Sequence, residues 1–255
     1  MSLRRRLPML RWSMIRAAVG NRNFSTTGQL GDGREAAAAD FVVAHARPGD
    51  AADALAKLDE FSYRKSFLVS IGDEKGHLLD AAVGRADPRL AVELGTYCGY
   101  GALRIAVAAP AATVVSVELS EANAAVAKRI WEHAGVGKRV SCVVGTIGDG
   151  GRTLDRLQNE HGCFAGAVDL LFIDHDKNAY LADLQSIVGR GWLHPGSIVV
   201  ADNVGIPGAP KYRRYMREQQ DRLWRTEEHR THVEYQTLLP DLVLESEYLG
   251  PVRPG

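Results

Sequence analysis

From Leu90 onward the chain sorts its apolar residues into short runs, separated by longer stretches in which apolar positions recur every three or four residues. The runs "LAVELG" (Leu90 to Gly95), "TVVSVEL" (Thr113 to Leu119), "RVSCVVG" (Arg139 to Gly145), "VDLLFID" (Val168 to Asp174) and "SIVVAD" (Ser197 to Asp202) are short and rich in β-branched residues. Their near-continuous apolar character is that of strands buried on both faces. Each of the first four is followed by a segment of helical length and period. This alternation predicts a parallel sheet covered by helices on both faces, with right-handed crossovers. After the second run, Ser120 can cap a helix, Val126, Ile130 and Ala134 share one face, and Gly135 can end it.

Upstream, from Arg34 to Arg85, the pattern is helical, with one break predicted at "RPGD" (Arg47 to Asp50) and a second at "IGDEKG" (Ile71 to Gly76). Downstream of Asp202 come a loop and a basic helix in "GIPGAPKYRRYMREQQ". Two strand candidates without an intervening helix follow, "LWRTEEHR" and "LVLESEY". Such a pair predicts an antiparallel hairpin added at one edge of the sheet.

The length of 255 residues suits one α/β domain with some extra chain. Lys plus Arg equals Asp plus Glu at 31 each, so no overall charge favours a nucleic acid, and a small-molecule partner is expected. Cys98, Cys142 and Cys163 form an odd set without metal-type spacing, which argues against a disulfide framework or zinc site and points to a reducing, cytoplasmic setting. No apolar run reaches the roughly 18 residues that span a bilayer. Arg4, Arg5, Arg6, Arg11, Arg16 and Arg22 all precede the first acid, Asp32. Residues 1–30 therefore fit a disordered tail, an organelle-targeting presequence or a weak membrane-surface anchor; residues 31–255 form the expected domain.

Ligands of open parallel sheets bind beyond the carboxyl ends of the strands, where the strand order reverses. The first run ends in Glu93 and "GTYCGYG" (Gly95 to Gly101), a glycine-rich turn without the GxGxxG spacing of dinucleotide sites. The second ends in Glu118, an acid suited to both hydroxyls of a ribose. The fourth ends in Asp174, the fifth in Asp202 and Asn203. If those two strands are neighbours, their ends lie about 5 Å apart and three oxygen ligands converge. Hard oxygen donors without thiolate suit Mg²⁺, although Asp before a helix also serves as a cap. Lys177, three residues after Asp174 and expected on the first turn of the next helix, can point over the same place. Beside a metal ion and a sulfonium its charged form is disfavoured, which makes it a usable general base.

These residues, with "SIGDEKG", "ELGTYCGYGALRIA", "VVSVELS", "HAGVGKRVSCVVG", "LLFIDHDKNAYL", "GSIVVADNVGIPGAP" and "HVEY" in that order, resemble the catechol O-methyltransferases over about Gly31 to Gly250. These are Mg²⁺-dependent enzymes that use S-adenosylmethionine. The resemblance implies a Rossmann-like class I methyltransferase fold, with a central seven-stranded, mostly parallel sheet whose last strand is antiparallel. It implies Asp174, Asp202 and Asn203 as Mg²⁺ ligands, Lys177 as the base and Glu234 at the second substrate hydroxyl. For the cofactor it implies Ile71, Glu93, Gly95, Tyr97, Gly101 and Asp174 toward the methionine end, Glu118 and Leu119 at the ribose, and Ile147, Gly148 and His175 around the adenine. Phe67, Val69, Asp176 and Pro207 fall at the substrate walls. Phe67 and Asp176 stand where the family usually has Trp, Val69 where it has Met, and Gly101 where it has Ser. Methylation of a catechol is the activity implied, with a larger vicinal diol of flavonoid or caffeoyl type as the alternative that the loss of Trp at Asp176 would suit. A nicotinamide dehydrogenase and a non-catalytic cofactor-binding module remain as competing readings.

Overall fold

The computed structural model describes residues 29–236 and 238–251; all but the last two residues of the Arg-rich segment set apart above lie outside them. The apolar runs form strands β1 (Leu90–Leu94), β2 (Thr113–Glu118), β3 (Val140–Val144), β4 (Val168–Ile173) and β5 (Leu193–Ala201). Two later strands, β6 (Trp224–His232) and β7 (Pro240–Tyr248), complete one seven-stranded sheet in the order β3-β2-β1-β4-β5-β7-β6. The first five strands pair in parallel, and β7 runs antiparallel to both neighbours. The predicted hairpin is present, but its second strand joins the sheet first. The reason lies in composition. β7 carries the buried Val243 and Leu244, whereas β6 is the charged "WRTEEHRTH", which suits an exposed edge.

Eight α-helices are described: α1 (Arg34–His45), α2 (Ala51–Arg64), α3 (Gly72–Ala86), α4 (Tyr100–Ala108), α5 (Glu121–His133), α6 (Arg152–His161), α7 (Tyr180–Gly189) and α8 (Pro210–Glu218). Alternate strand residues serve two apolar layers. Leu170, Phe172 and Val200 pack with α1 to α5, while Leu171, Ile173 and Val199 pack with α6 to α8. Both faces are covered, which is why the strands read as continuous apolar runs. Among the described residues no helix is long and apolar enough to cross a membrane, and the three cysteines are free thiols.

The helix start expected at Ser120 is capped as read, and Asp50, at the end of the first break, caps another. Asp50 accepts a hydrogen bond from the Asp53 N–H at 2.9 Å, and Ser120 from the Asn123 N–H at 3.3 Å. The buried stripe of α5 is Ala124, Ala127, Ile130 and Trp131, with Val126 at its half-buried margin. The second predicted break is misplaced. Residues 65–71 make the turn, and "GDEKG" lies inside α3. Asp73 and Glu74 there favour the helix N-terminus. Gly76 is a packing residue, since a Cβ would collide with the Arg104 guanidinium.

Candidate active site

The order of strands reverses at β1, with β2 on one side and β4 on the other. Beyond their carboxyl ends opens a cleft of about 540 Å³ that runs from Gly145 and Ile147 at one end to Pro207, Val233 and Glu234 at the other. Glu118, Asp174 and Asn203, the residues that end or follow β2, β4 and β5, stand along it. Sequence position alone therefore located the cleft.

The β1–α4 turn forms one wall. Gly95 has φ +99°, and a Cβ there would meet the Asp174 carbonyl oxygen and, at 3.0 Å, the His175 nitrogen. Only glycine lets the two strand ends come this close. Glu118 is clamped by the protein itself. Its Oε2 accepts from the Thr96 and Tyr97 N–H groups at 3.1 and 2.8 Å, and its Oε1 from Ser120 N–H at 2.9 Å and Asn123 Nδ2 at 3.5 Å. The Asn123 bond is the longest and lies in the cleft wall, so it is the one a ligand hydroxyl can replace. His175 stacks on Tyr180 with ring centroids 5.2 Å apart and bonds Asp183 Oδ2 through Nε2 at 2.7 Å. Its Nδ1 is buried without a partner.

At the ends of β4 and β5, which pair directly, each acidic or amide side chain is held from behind by one atom. Asp202 is fully buried. Its Oδ1 accepts from the Asn203 N–H at 2.7 Å and pairs with Lys75 Nζ at 2.7 Å, while Oδ2 is buried with no partner. Asn203 turns its amide nitrogen away, donating to Glu234 Oε1 at 2.8 Å and Asp241 Oδ2 at 3.0 Å. Asp174 Oδ1 accepts from Lys177 Nζ at 2.9 Å. Thus Asp174 Oδ2, Asp202 Oδ2 and Asn203 Oδ1 have no donor among the described residues. Burial pushes the Asp202 carboxyl above its ordinary range; Lys75 pulls it back, and the charges of Asp174 and Glu234 push it further up. An orphaned buried oxygen and an all-oxygen donor set fit a hard divalent cation.

Lys177 Nζ also donates to Tyr180 Oη at 2.7 Å, and that hydroxyl donates to the Asp202 carbonyl at 3.0 Å. Lys177 sits in the turn before α7 rather than on its first helical turn. Asp176 explains the difference: its Oδ1 accepts from both the backbone N–H and the Nδ2 of Asn178, each at 3.0 Å, which holds the chain in a turn. Asp176 is exposed at the cleft mouth.

Of the residues expected from the sequence, Gly95, Tyr97, Glu118, Leu119, Ile147, Asp174 and His175 line the cleft, as do Val69, Asp176, Lys177, Asn203, Pro207 and Glu234. Ile71, Glu93, Gly101, Gly148, Phe67 and the fully buried Asp202 do not. Glu93 is 1 % exposed and turns inward, accepting from Ser116 Oγ; burial pushes its carboxyl well above the ordinary range. Gly101 lies over it, too close for any side chain. Phe67 packs edge-on against Tyr235 with centroids 6.2 Å apart. Ile71 is buried in the apolar layer beside α3, and Gly148 is exposed near Asp183. Two residues escaped the sequence argument altogether, Lys75 and Asp241. Among the described residues, the acids close enough to share one ion are Asp202, Glu234 and Asp241. Lys75 Nζ fills that spot, 2.7, 2.5 and 3.0 Å from them. Asp174 stands outside the trio, beside Lys177. The available signal was a lysine at an apolar position of α3, in line with the buried Leu79, Ala82 and Val83.

Comparison with known proteins bears on the family and the fold. A family profile described as "O-methyltransferase" matches residues 46–226. A Mycobacterium tuberculosis protein named "Probable O-methyltransferase" is 71% identical over 233 residues, which cover 91% of this chain and 100% of that one. Catechol O-methyltransferase B of Danio rerio is 34% identical over 210 residues (82% and 76%), and catechol O-methyltransferase of Bos taurus 30% over 228 (88% and 81%). Among solved structures, a Bacillus cereus O-methyltransferase in complex with SAH superposes with TM-score 0.60 at 18% identity, covering 92% of this chain and 99% of that one. The Streptomyces achromogenes O-methyltransferase TomG in complex with SAM superposes with TM-score 0.59 at 20% identity, covering 94% and 100%. At these identities the superpositions speak for the shared fold.

Proposed function

The chain belongs to the O-methyltransferase family that includes the catechol O-methyltransferases, and from that premise we propose a Mg²⁺-dependent enzyme that methylates one hydroxyl of a catechol. Family membership removes the dehydrogenase and non-catalytic readings. The observation that carries the proposal is the buried, partnerless Asp202 Oδ2, on the strand adjacent to the Asp174–Lys177 pair.

Asp174, Asp202 and Asn203 would hold the metal, and the walls from Tyr97 to Ile147 would hold S-adenosylmethionine. When bound, Mg²⁺ stabilises the ionised oxygen of a vicinal diol and S-adenosylmethionine supplies the methyl group. Lys177 Nζ accepts the proton from the reacting hydroxyl; Tyr180 and Asp174 fix the direction of that nitrogen. Glu234, whose Oε1 is taken by Lys75 and Asn203, offers its remaining oxygen to the second hydroxyl. Glu118 and Leu119 receive the ribose, and Ile147 and His175 wall the adenine. Val69, Ile206, Pro207 and Val233 supply apolar contact for the aromatic ring. No protein nucleophile is required, so the chief gain is orientation of two reactants in one cleft.

A larger vicinal-diol aromatic, of flavonoid or caffeoyl type, is the second reading. Asp176 favours it, because a short exposed carboxylate held in a turn leaves the cleft mouth open where an indole would close it. Incubation with S-adenosylmethionine and a panel of small and extended catechols, with and without EDTA, tests both readings. Methylated product that disappears in EDTA, returns with Mg²⁺ and is absent in Asp202→Ala is expected. Full activity in EDTA would overturn the metal assignment.

A further inference from the structure

Lys75 is the group this chemistry has not used. Its side chain is 1 % exposed. It stands on the buried stripe of α3, where an apolar residue of similar length would avoid the desolvation penalty of several kcal/mol that attends a buried charge. Its three partners explain what it does there. Lys75 Nζ takes Asp202 Oδ1, Glu234 Oε1 and Asp241 Oδ2 at 2.7, 2.5 and 3.0 Å. Asp241 spends its other oxygen on the Gly205 and Ile206 N–H groups at 3.2 and 2.9 Å. Asp202 and Glu234 each keep one oxygen that has no donor among the described residues.

We propose that Lys75 is a positioning residue that occupies the rear oxygens of Asp202 and Glu234, so that Asp202 presents one defined oxygen to the metal and Glu234 one to the substrate. This rests on the Mg²⁺ reading above. The local charges agree with it. With all groups ionised, the four carboxylates of Asp174, Asp202, Glu234 and Asp241 face the two ammonium groups of Lys75 and Lys177. The deficit is two positive charges, the charge of one divalent ion. Without Lys75 the site would be more negative, and the rear oxygens of Asp202 and Glu234 would each keep a single bond, from Asn203.

The test is metal affinity in the full-length protein, with Mn²⁺ as the probe, read from the electron paramagnetic resonance of free Mn²⁺. S-adenosylhomocysteine affinity is measured in parallel by calorimetry. Lys75→Met is expected to weaken Mn²⁺ binding about 10- to 100-fold, the usual effect of removing a group that orients a metal ligand, with S-adenosylhomocysteine affinity unchanged. Lys75→Arg, which keeps the charge, should fall between the two. Mn²⁺ affinity in Lys75→Met equal to that of the wild type overturns the proposal, as does a parallel loss of S-adenosylhomocysteine binding, which would mark a general structural role. Should Lys75→Met not fold, Lys75→Arg alone decides, and wild-type Mn²⁺ affinity in it overturns the proposal. A wild type that binds no Mn²⁺ overturns the metal reading and this one together; a wild type that binds it, with unchanged variants, overturns this one alone.

Discussion

At the scale of single residues, the site depends on which atom of a side chain is already engaged. Lys177 holds Asp174 by one oxygen and leans on Tyr180, so its nitrogen is aimed by two partners. Lys177→Met keeps much of the packing and removes the proposed proton acceptor. Single-turnover methylation is expected to slow by about 10²- to 10⁴-fold, with S-adenosylhomocysteine affinity retained. Gly101 shows the opposite dependence, on an absent side chain. A Cβ there would fall on Glu93 Oε1 and 2.9 Å from Phe172 Cε1, both in the packed interior. Gly101→Ser, which restores the family's usual residue, should destabilise the fold by about 1–3 kcal/mol in urea denaturation, because it would push the buried, hydrogen-bonded Glu93 carboxyl and the Phe172 ring out of place. Glycine is matched here to the inward turn of Glu93, so the two positions must be understood together.

At the scale of elements, the β6–β7 hairpin completes the site. Glu234 lies in its connection and Asp241 at the start of β7, and both reach Lys75 on α3. The same connection is pinned on its other side. Tyr235 Oη and Tyr100 Oη both donate to Asp59 Oδ1, at 3.2 and 2.9 Å, and so tie α2, α4 and the hairpin turn together. Burial pushes the Asp59 carboxyl up to about 6 from 3.8, against the pull of its hydrogen bond from Tyr100. The folded state therefore binds this proton more tightly than the unfolded chain does. Its contribution to stability is complete at acid pH and is lost as pH rises from about 4 to about 6. Asp59→Asn should remove that slope and leave the variant more stable than wild type at pH 7, on the order of 2 kcal/mol. Thermal unfolding across pH 4 to 8 checks it; parallel curves for the two proteins would count against it.

At the scale of the whole molecule, the cleft joins residues from both sides of the sheet, so a ligand that fills it should stabilise the entire fold. S-adenosylhomocysteine at about 100 times its dissociation constant should add about 2.7 kcal/mol. That corresponds to a rise in Tm of roughly 5–10 °C for a chain of this size, whereas NAD should leave Tm unchanged; calorimetric scans with each compound check both.

The strands and the cleft were legible in the sequence because burial on both faces writes itself as continuous apolar runs, and a charged residue ending such a run has few places to go. The helix cap at Ser120 was legible because it acts over three residues. The break assigned to "IGDEKG" was not, since Gly76 answers to Arg104 on another helix.

By itself, then, the sequence determined the alternation of strand and helix, the charged strand ends at Asp174 and Asp202, and the resemblance that family membership bears out; the pairing of those two strands came from the structure. Only the tertiary structure decided how each of those side chains is used. Lys75 meets Glu234 and Asp241 across 159 and 166 residues of chain, and the choice of one carboxylate oxygen over the other is made by donors brought within 3 Å, Lys75 from α3 and Asn203 from the end of β5. A local pattern carries no record of such convergence, because hydrogen-bond energy depends on distance and angle between groups that only packing brings together.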